Sequence, residues 1–428
     1  MKKMKTTLRS LLLWQWAIAS ALTLSPVSAE IITEMGPTFN LTASEDYITT
    51  PDGGAYLMWG YGVTGRTMQY VGPTLEVNEG DTVTVNLTNE LSVPVSLVFP
   101  GQTGVSASGD TDGLLTKEAN PGGGTAQYTF VASHPGTYLY HSGTQPELQL
   151  EMGLIGAMIV RPAGQPEGVR WAYNHADSAY DYEYLFLLTE MDPVVHQMIQ
   201  CGKANQVDLT AYFPVLWFIN GRCAPDTMMP AETPLLPTQP YNCLPRLHPG
   251  DRILLRFLGG SRDYHPFHTH GNNFLLIAQD GRLLSSTPGA GADLAVSNFT
   301  QTVAPGATCD AIFTWTGEKL GWDIYGHSPE DPLEMNEYGP DHGKPFPVLL
   351  PDKKDLTFGL HWSGSPFLGT MESLPPGEGG FNMNAGYFYM WHSHKEKEMV
   401  NNDIFPGGMM TMLIVEPHSV QIEGAHGH

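Results

Sequence analysis

Three imidazoles fall within six residues in His265-Pro-Phe-His268-Thr-His270-Gly271, and a second pair, His392-Ser393-His394, follows far along the chain. On an extended strand, residues two apart share a face. His268 and His270 therefore point one way together, and so do His392 and His394, at a spacing that suits one metal ion or two adjacent ones. Imidazole serves copper, zinc, iron and nickel alike, so residue type alone does not choose the metal. A lone histidine reads as a core-edge or surface residue; two H-x-H pairs at equivalent strand ends read as ligands. The 19 methionines include Met228-Met229 and Met409-Met410-Thr-Met412. Thioether sulfur favours Cu(I), but the last group lies in an apolar strand pattern and reads mainly as packing. The cysteines, Cys201, Cys223, Cys243 and Cys309, include no C-x-x-C pair. In an exported chain they predict two disulfides, or one disulfide and free thiols, pinning the interdomain region.

The elements that must position these residues are short strands. Leu75-Glu-Val-Asn-Glu-Gly-Asp-Thr-Val-Thr-Val-Asn-Leu87 alternates apolar and polar residues on both sides of a Gly-Asp turn, which predicts two half-buried strands. Leu247-His-Pro-Gly-Asp-Arg-Ile-Leu-Leu-Arg-Phe257 repeats that logic. Tyr387-Phe-Tyr-Met-Trp-His392 corresponds to Gly136-Thr-Tyr-Leu-Tyr-His141, and Met409–Val415 to Leu154–Val160. This is an internal duplication of one β-sandwich unit. The expected organisation is a first domain over 37–162, a connector over 163–215 with one strand at Tyr184–Leu188, and a second domain over 216–417. A long Gly-, Pro- and acid-rich insertion at about 321–381 interrupts the second domain, and a histidine-containing tail fills 418–428.

These segments resemble the multicopper oxidase family, built from cupredoxin domains. The matching text is Gly72-Pro-Thr-Leu-Glu-Val-Asn-Glu-Gly-Asp-Thr-Val, Gly136-Thr-Tyr-Leu-Tyr-His-Ser, Phe218-Ile-Asn-Gly-Arg, His248-Pro-Gly-Asp-Arg, the HPxHxHG motif at His265–Gly271, and His392-Ser-His with Gly407-Gly-Met409. The resemblance touches both units and implies an all-β chain of two cupredoxin-like Greek-key β-sandwich domains, the second carrying the insertion. It also implies copper: a cysteine-bound type 1 copper that accepts an electron, and a trinuclear cluster of eight histidines that reduces oxygen. Carried over, His268 and His270 match cluster ligands of HPxHxHG, and His392 and His394 those of the closing HCH motif. His141 matches the first histidine of the first domain's second pair. His265 and Met409 match type 1 positions.

The departures concern the ligands themselves. The cysteine of HCH is Ser393, whose hydroxyl cannot supply the soft thiolate of a blue copper site. The run after His394 reads KEKEMVNND, without the usual nearby histidine. The first domain's HWHG stands as Phe99-Pro-Gly-Gln102, and its second pair as His141-Ser-Gly143. Five cluster histidines remain, enough for a mononuclear or dinuclear centre and too few for the standard trinuclear one. Two-domain relatives build such centres between subunits, so the resemblance implies a homotrimer.

Composition sets the remaining bounds. Charged residues make up only 15%, with 47 glycines and 34 prolines, a turn-rich balance unlike helical bundles. A net charge of −23 argues against a nucleic-acid surface, which needs clustered lysine and arginine. Lys2, Lys3, Lys5 and Arg9, the apolar run Leu11–Leu24 and Val27-Ser-Ala29 read as a secretory signal over 1–29, predicting a periplasmic or secreted protein with no membrane span. The expected partners are copper ions and a small-molecule or metal-ion electron donor. The expected activity is a copper-dependent oxidoreductase with a rearranged site. The alternative is a non-catalytic copper-binding or storage protein, or a structural subunit of an oxidase complex.

Overall fold

The computed structural model describes residues 31–248, 250–315 and 387–416, with residues 332, 367–368 and 421–422. The signal read at 1–29, nearly all of the insertion and nearly all of the tail lie outside the described residues. Among those residues no helix is long and apolar enough to cross a membrane.

The chain is all-β and forms two β-sandwiches. In the first, β1 (Thr38–Thr49), β2 (Ala55–Val63), β4 (Thr82–Asn89) and β5 (Gly124–Val131) lie in one sheet. The strands β3 (Gly72–Asn78), β6 (Gly136–His141) and β7 (Ile155–Arg161) lie in the other. The alternation read at residues 75–87 is real in β4, where every second side chain is buried. The Gly-Asp turn there does not make a hairpin, because β3 and β4 belong to opposite sheets. Each strand turns one apolar face inward, and the two faces meet in a core that includes Leu75, Val77, Val83, Val85 and Tyr140.

The second sandwich repeats the wiring. One sheet holds β8 (Tyr182–Met191), β9 (Leu216–Ile219), β11 (Arg252–Gly259), β13 (Phe274–Gln279) and β15 (Thr308–Thr314). The facing sheet holds β10 (Arg246–Leu247), β12 (His265–Thr269), β14 (Thr300–Val303), β16 (Tyr387–Ser393) and β17 (Met410–Val415). In both sandwiches a parallel pair is continued by an antiparallel partner: β1, β4 and β5 in the first, β8, β11 and β15 in the second. Likewise β6 pairs antiparallel with β7 as β16 does with β17. The duplication read from sequence is thus a duplication of topology. The strand β8 falls within the stretch read as a connector, yet pairs along its length with β11. All ten of its residues are buried. Its Leu185 and Leu187 meet Leu139, Ile155 and Ala157 of the first sandwich in a shared apolar layer, which is why it reads as a continuous apolar run rather than an alternating one.

The expected disulfides are absent: all four cysteines are free. Cys243 and Cys309 sit within the second core, Cys223 in the layer between the sandwiches, and Cys201 is exposed at the end of the helix α1 (Pro193–Gln200). Burial pushes the thiols of Cys223 and Cys243 well up, and that of Cys309 up to about 12. They behave as small apolar side chains rather than as reactive thiols.

Candidate metal centre

Strand parity decides which histidines meet. Along β12, residues 265, 267 and 269 are buried and 266 and 268 partly exposed. His268 therefore points away from the core, joined by His270 just beyond the strand. Phe267 anchors the opposite face in an aromatic group with Phe186 and Phe257, ring centroids 5.1 and 5.6 Å away. Along β16, Trp391 and Ser393 face the core, and the two flanking histidines take the other face. The strands run antiparallel with His268 opposite His392, so both H-x-H pairs arrive on one side of one sheet. Gly271 ends this segment at a φ of 95°, and a Cβ there would stand 3.0 Å from the Tyr389 ring. Glycine is needed for the chain to turn away.

The four rings form one cluster. Centroid separations are 4.7 Å for His268–His270, 4.9 Å for His268–His394, 5.3 Å for His270–His392 and 5.6 Å for both His268–His392 and His392–His394. The Nε2 atoms of His270 and His392 stand 3.2 Å apart. Two ring nitrogens on one tetrahedral ion, bonded at about 2.0–2.1 Å, stand about 3.3–3.4 Å apart, so this pair fits a shared metal. Second partners fix the ring orientations. The Nδ1 of His392 donates to the Ser393 carbonyl at 2.7 Å, and the Nδ1 of His268 lies 2.7 Å from Thr300 Oγ1. Such contacts at the far nitrogen set the tautomer of a metal-binding histidine. The Trp391 indole donates to the His270 carbonyl at 3.0 Å, holding the backbone of the HPxHxHG turn.

Electrostatics favour neutral, ligand-competent rings. Burial pushes His268 down to about 4, helped by repulsion from His392 and His394, and burial also lowers His392 against its bond to the Ser393 carbonyl. Among the described residues, no three His, Cys, Asp or Glu side chains are already placed to hold one metal ion together; the closest approach is the His270–His392 pair. The side chain of His394 is 54% exposed, leaving a side reachable from solvent.

The other two candidate histidines stand elsewhere. His141 ends β6 in the first sandwich, at the position that His392 occupies on β16. Its Nδ1 meets the Ser142 carbonyl at 2.8 Å, and burial lowers it. His265 is fully buried on the opposite face of β12, with Nδ1 3.0 Å from Glu398 Oε2 and Nε2 2.9 Å from Glu190 Oε2. Burial opposes its charge, but the hydrogen bonds to the two carboxylates prevail and bring it up to about 9. Glu190, Glu398 and Thr300 were not singled out in the sequence. The signal for Glu398 was its place five residues after Ser393; Glu190 and Thr300 gave none, because both act across strand pairings.

Comparison with known proteins bears on the fold and the copper chemistry of its relatives. The family model described as multicopper oxidase matches residues 57–165. Copper resistance protein A of Escherichia coli is 26% identical over 352 residues, 73% of this chain and 53% of the relative. The chain spans about half the length of that relative and less of several others. Blue copper oxidase from Nitrosomonas europaea shares the fold at a TM-score of 0.57 and 20% identity, over 92% of this chain and 89% of its own. Copper nitrite reductase from the same organism does so at 0.53 and 14%, over 92% and 98%. The match over residues 57–165, these relatives and the shared cupredoxin-like fold together make the chain similar to the multicopper oxidases.

Proposed function

We propose that this chain is an exported copper-dependent oxidoreductase whose copper is held by His268, His270, His392 and His394. The observation that carries the proposal is the approach of His270 Nε2 to His392 Nε2, 3.2 Å, within a group of four imidazoles. Copper bound there would supply one-electron cycling between Cu(II) and Cu(I). The chain's own residues set the conditions. Thr300 and the Ser393 carbonyl aim two of the rings, and burial keeps His268 and His392 unprotonated and ready to ligate. His394 leaves one side open, where a small-molecule or metal-ion donor can approach the centre directly. The exposed ring of Phe299, 5.7 Å from His268, gives that opening an apolar flank. His141 stands outside the four-ring cluster, and a homotrimer would bring a neighbour's His141 as a fifth ligand. The signal read over 1–29 supports delivery to the periplasm or the exterior.

One observation favours a second reading. The four rings do not close around a single position, as suits a chain that buffers and passes on copper without turnover. Both readings are tested together on the mature protein. The expected result is tightly held copper, lost in parallel on His268→Ala and His392→Ala, with oxidation of a phenol, a metal ion or a nitrogen-oxide donor. Copper bound without turnover moves the reading to storage. No copper bound ends both.

A further inference from the structure

The face of β12 and β16 opposite the four imidazoles holds a second constellation. His265 and Ser393 project there, with Phe267 lying directly across from Ser393. These are two of the positions that the family resemblance gives to a type 1 copper, and Met409 is beside them. The Ser393 amide donates to the Met409 carbonyl at 3.0 Å, and the Met409 amide to the Glu398 carbonyl at 2.8 Å. Into the space between them reaches the Glu398 carboxylate. Its Oε2 accepts from Ser393 Oγ at 2.5 Å and from His265 Nδ1 at 3.0 Å, and its Oε1 lies 3.1 Å from the Lys395 ammonium. The far nitrogen of His265 meets Glu190 Oε2. Glu190 is itself held by the Ser261 hydroxyl and by the amides of Arg262 and Asp263, 2.8 and 2.9 Å from its Oε1. His265, Glu190, Ser393 and Glu398 are all buried.

These residues do not fit a type 1 copper. The soft thiolate is a hydroxyl, and the ring nitrogen that would turn to the metal is spent on a carboxylate. Every partner of Glu398 offers it a proton, and Glu190 is met by the Ser261 and Tyr212 hydroxyls and by the amides of Arg262 and Asp263. Both groups are therefore acceptors, and both nitrogens of His265 must be donors. An imidazole with two N–H groups has no lone pair to ligate. We propose that the type 1 position is a metal-excluding ionic clamp, Glu190–His265–Glu398, in which a buried imidazolium takes the place of the copper cation. The imidazolium and the Lys395 ammonium together offset the two carboxylates, and the ion pairs tie β8 and β12 to the turn at 396–399. No electron enters through this position, so a donor must reach the four-histidine face itself.

The clamp does not depend on what the four histidines bind, and it can be tested in the wild-type chain. With nitrogen-15 in the histidines, His265 is expected to show two slowly exchanging ring N–H signals at neutral pH. Both should persist after anaerobic titration with excess Cu(I), a diamagnetic probe. Glu398→Gln is expected to keep the wild-type copper content. The double variant Ser393→Cys, Glu398→His rebuilds the lost donors and is expected to add one copper per chain with intense blue absorption. A single ring proton on His265 in the metal-free protein would overturn the proposal. So would loss of either proton on adding Cu(I), or a fall of one copper per chain in Glu398→Gln. Failure of the four-histidine reading would look different: no copper would bind, while both His265 protons remained.

Discussion

Raising the pH from 6.5 to 9.5 should destabilise this protein through His265 in particular. The ring is carried from an ordinary value of 6.5 up to about 9, against burial, by hydrogen bonds to Glu190 and Glu398. A histidine raised in the folded state contributes stability that is fully present below the unfolded value, and the contribution is lost as pH rises through the folded one. The gap between the two values corresponds to about 3 kcal/mol. Glu190 has the opposite sign: burial raises it, but His265 and the Ser261 hydroxyl hold it below the usual range, so its contribution is lost on acidification. Lys395, Asp263, Tyr212 and Glu151 also border the clamp. A variant is needed to separate their titrations from that of His265. In Glu398→Gln the amide oxygen can still accept from Nδ1, but without charge, so part of the upward shift disappears. Urea unfolding followed by tryptophan fluorescence at several pH values reads the difference. The wild type should lose on the order of 3 kcal/mol between pH 6.5 and 9.5, and the variant distinctly less. The variant should also be less stable at pH 6.5 by about 1.5–3 kcal/mol, the worth of a hydrogen bond to a charged group. Parallel declines in the two proteins would refute the imidazolium clamp as a source of stability.

Thr300→Val removes the oxygen that orients His268, 2.7 Å from its Nδ1; copper affinity by competition with a chelator should fall about 10–100-fold. Because His268 lies near 4 and His392 is also lowered, protons should compete weakly. Copper should remain bound at pH 5, and dialysis across a pH series will measure where it leaves. Phe267→Ala empties a fully buried aromatic site beneath the histidine face. It should cost about 3–5 kcal/mol, seen as a lower unfolding midpoint, and weaken copper binding as β12 loosens. If the centre is shared between copies, light scattering should give three times the chain mass, and His141→Ala should weaken copper binding without dissociating the trimer.

Much of the fold was legible because the sequence states one pattern twice. Alternation in Thr82–Asn89 and the matched pairs Gly136–His141 and Tyr387–His392 map onto equivalent strands. The role of Tyr182–Met191 was not legible. A strand buried on both sides carries no alternation, and its apolar run Tyr184–Leu188 gave no sign of which sheet it joins. The cysteine expectation failed for a similar reason. Spacing along the chain says nothing about which core cluster a thiol enters. At the site, the shared face of His268 and His270 follows from a period of two, and the same rule separates His265, three and five residues away, from both. Its partners could not be read that way, because Glu190 lies 75 residues before it and Glu398 133 residues after it.

The two faces of the β12–β16 pair carry different chemistry. On one face, both H-x-H motifs present their imidazoles, with His268 opposite His392. On the other, a hydroxyl stands at Ser393, where the family resemblance places a cysteine, and the Glu398 carboxylate accepts from it. A lone buried imidazolium, or a lone buried carboxylate, incurs the cost of an unpaired ion. Paired, they leave the strand register His268–His392 intact and so preserve the metal-facing side. A fixed charge pair at this position can thus hold the two strands in register without a metal. By that logic, restoring only the cysteine at Ser393 should yield no blue copper, because Glu398 would still hold His265 through Nδ1.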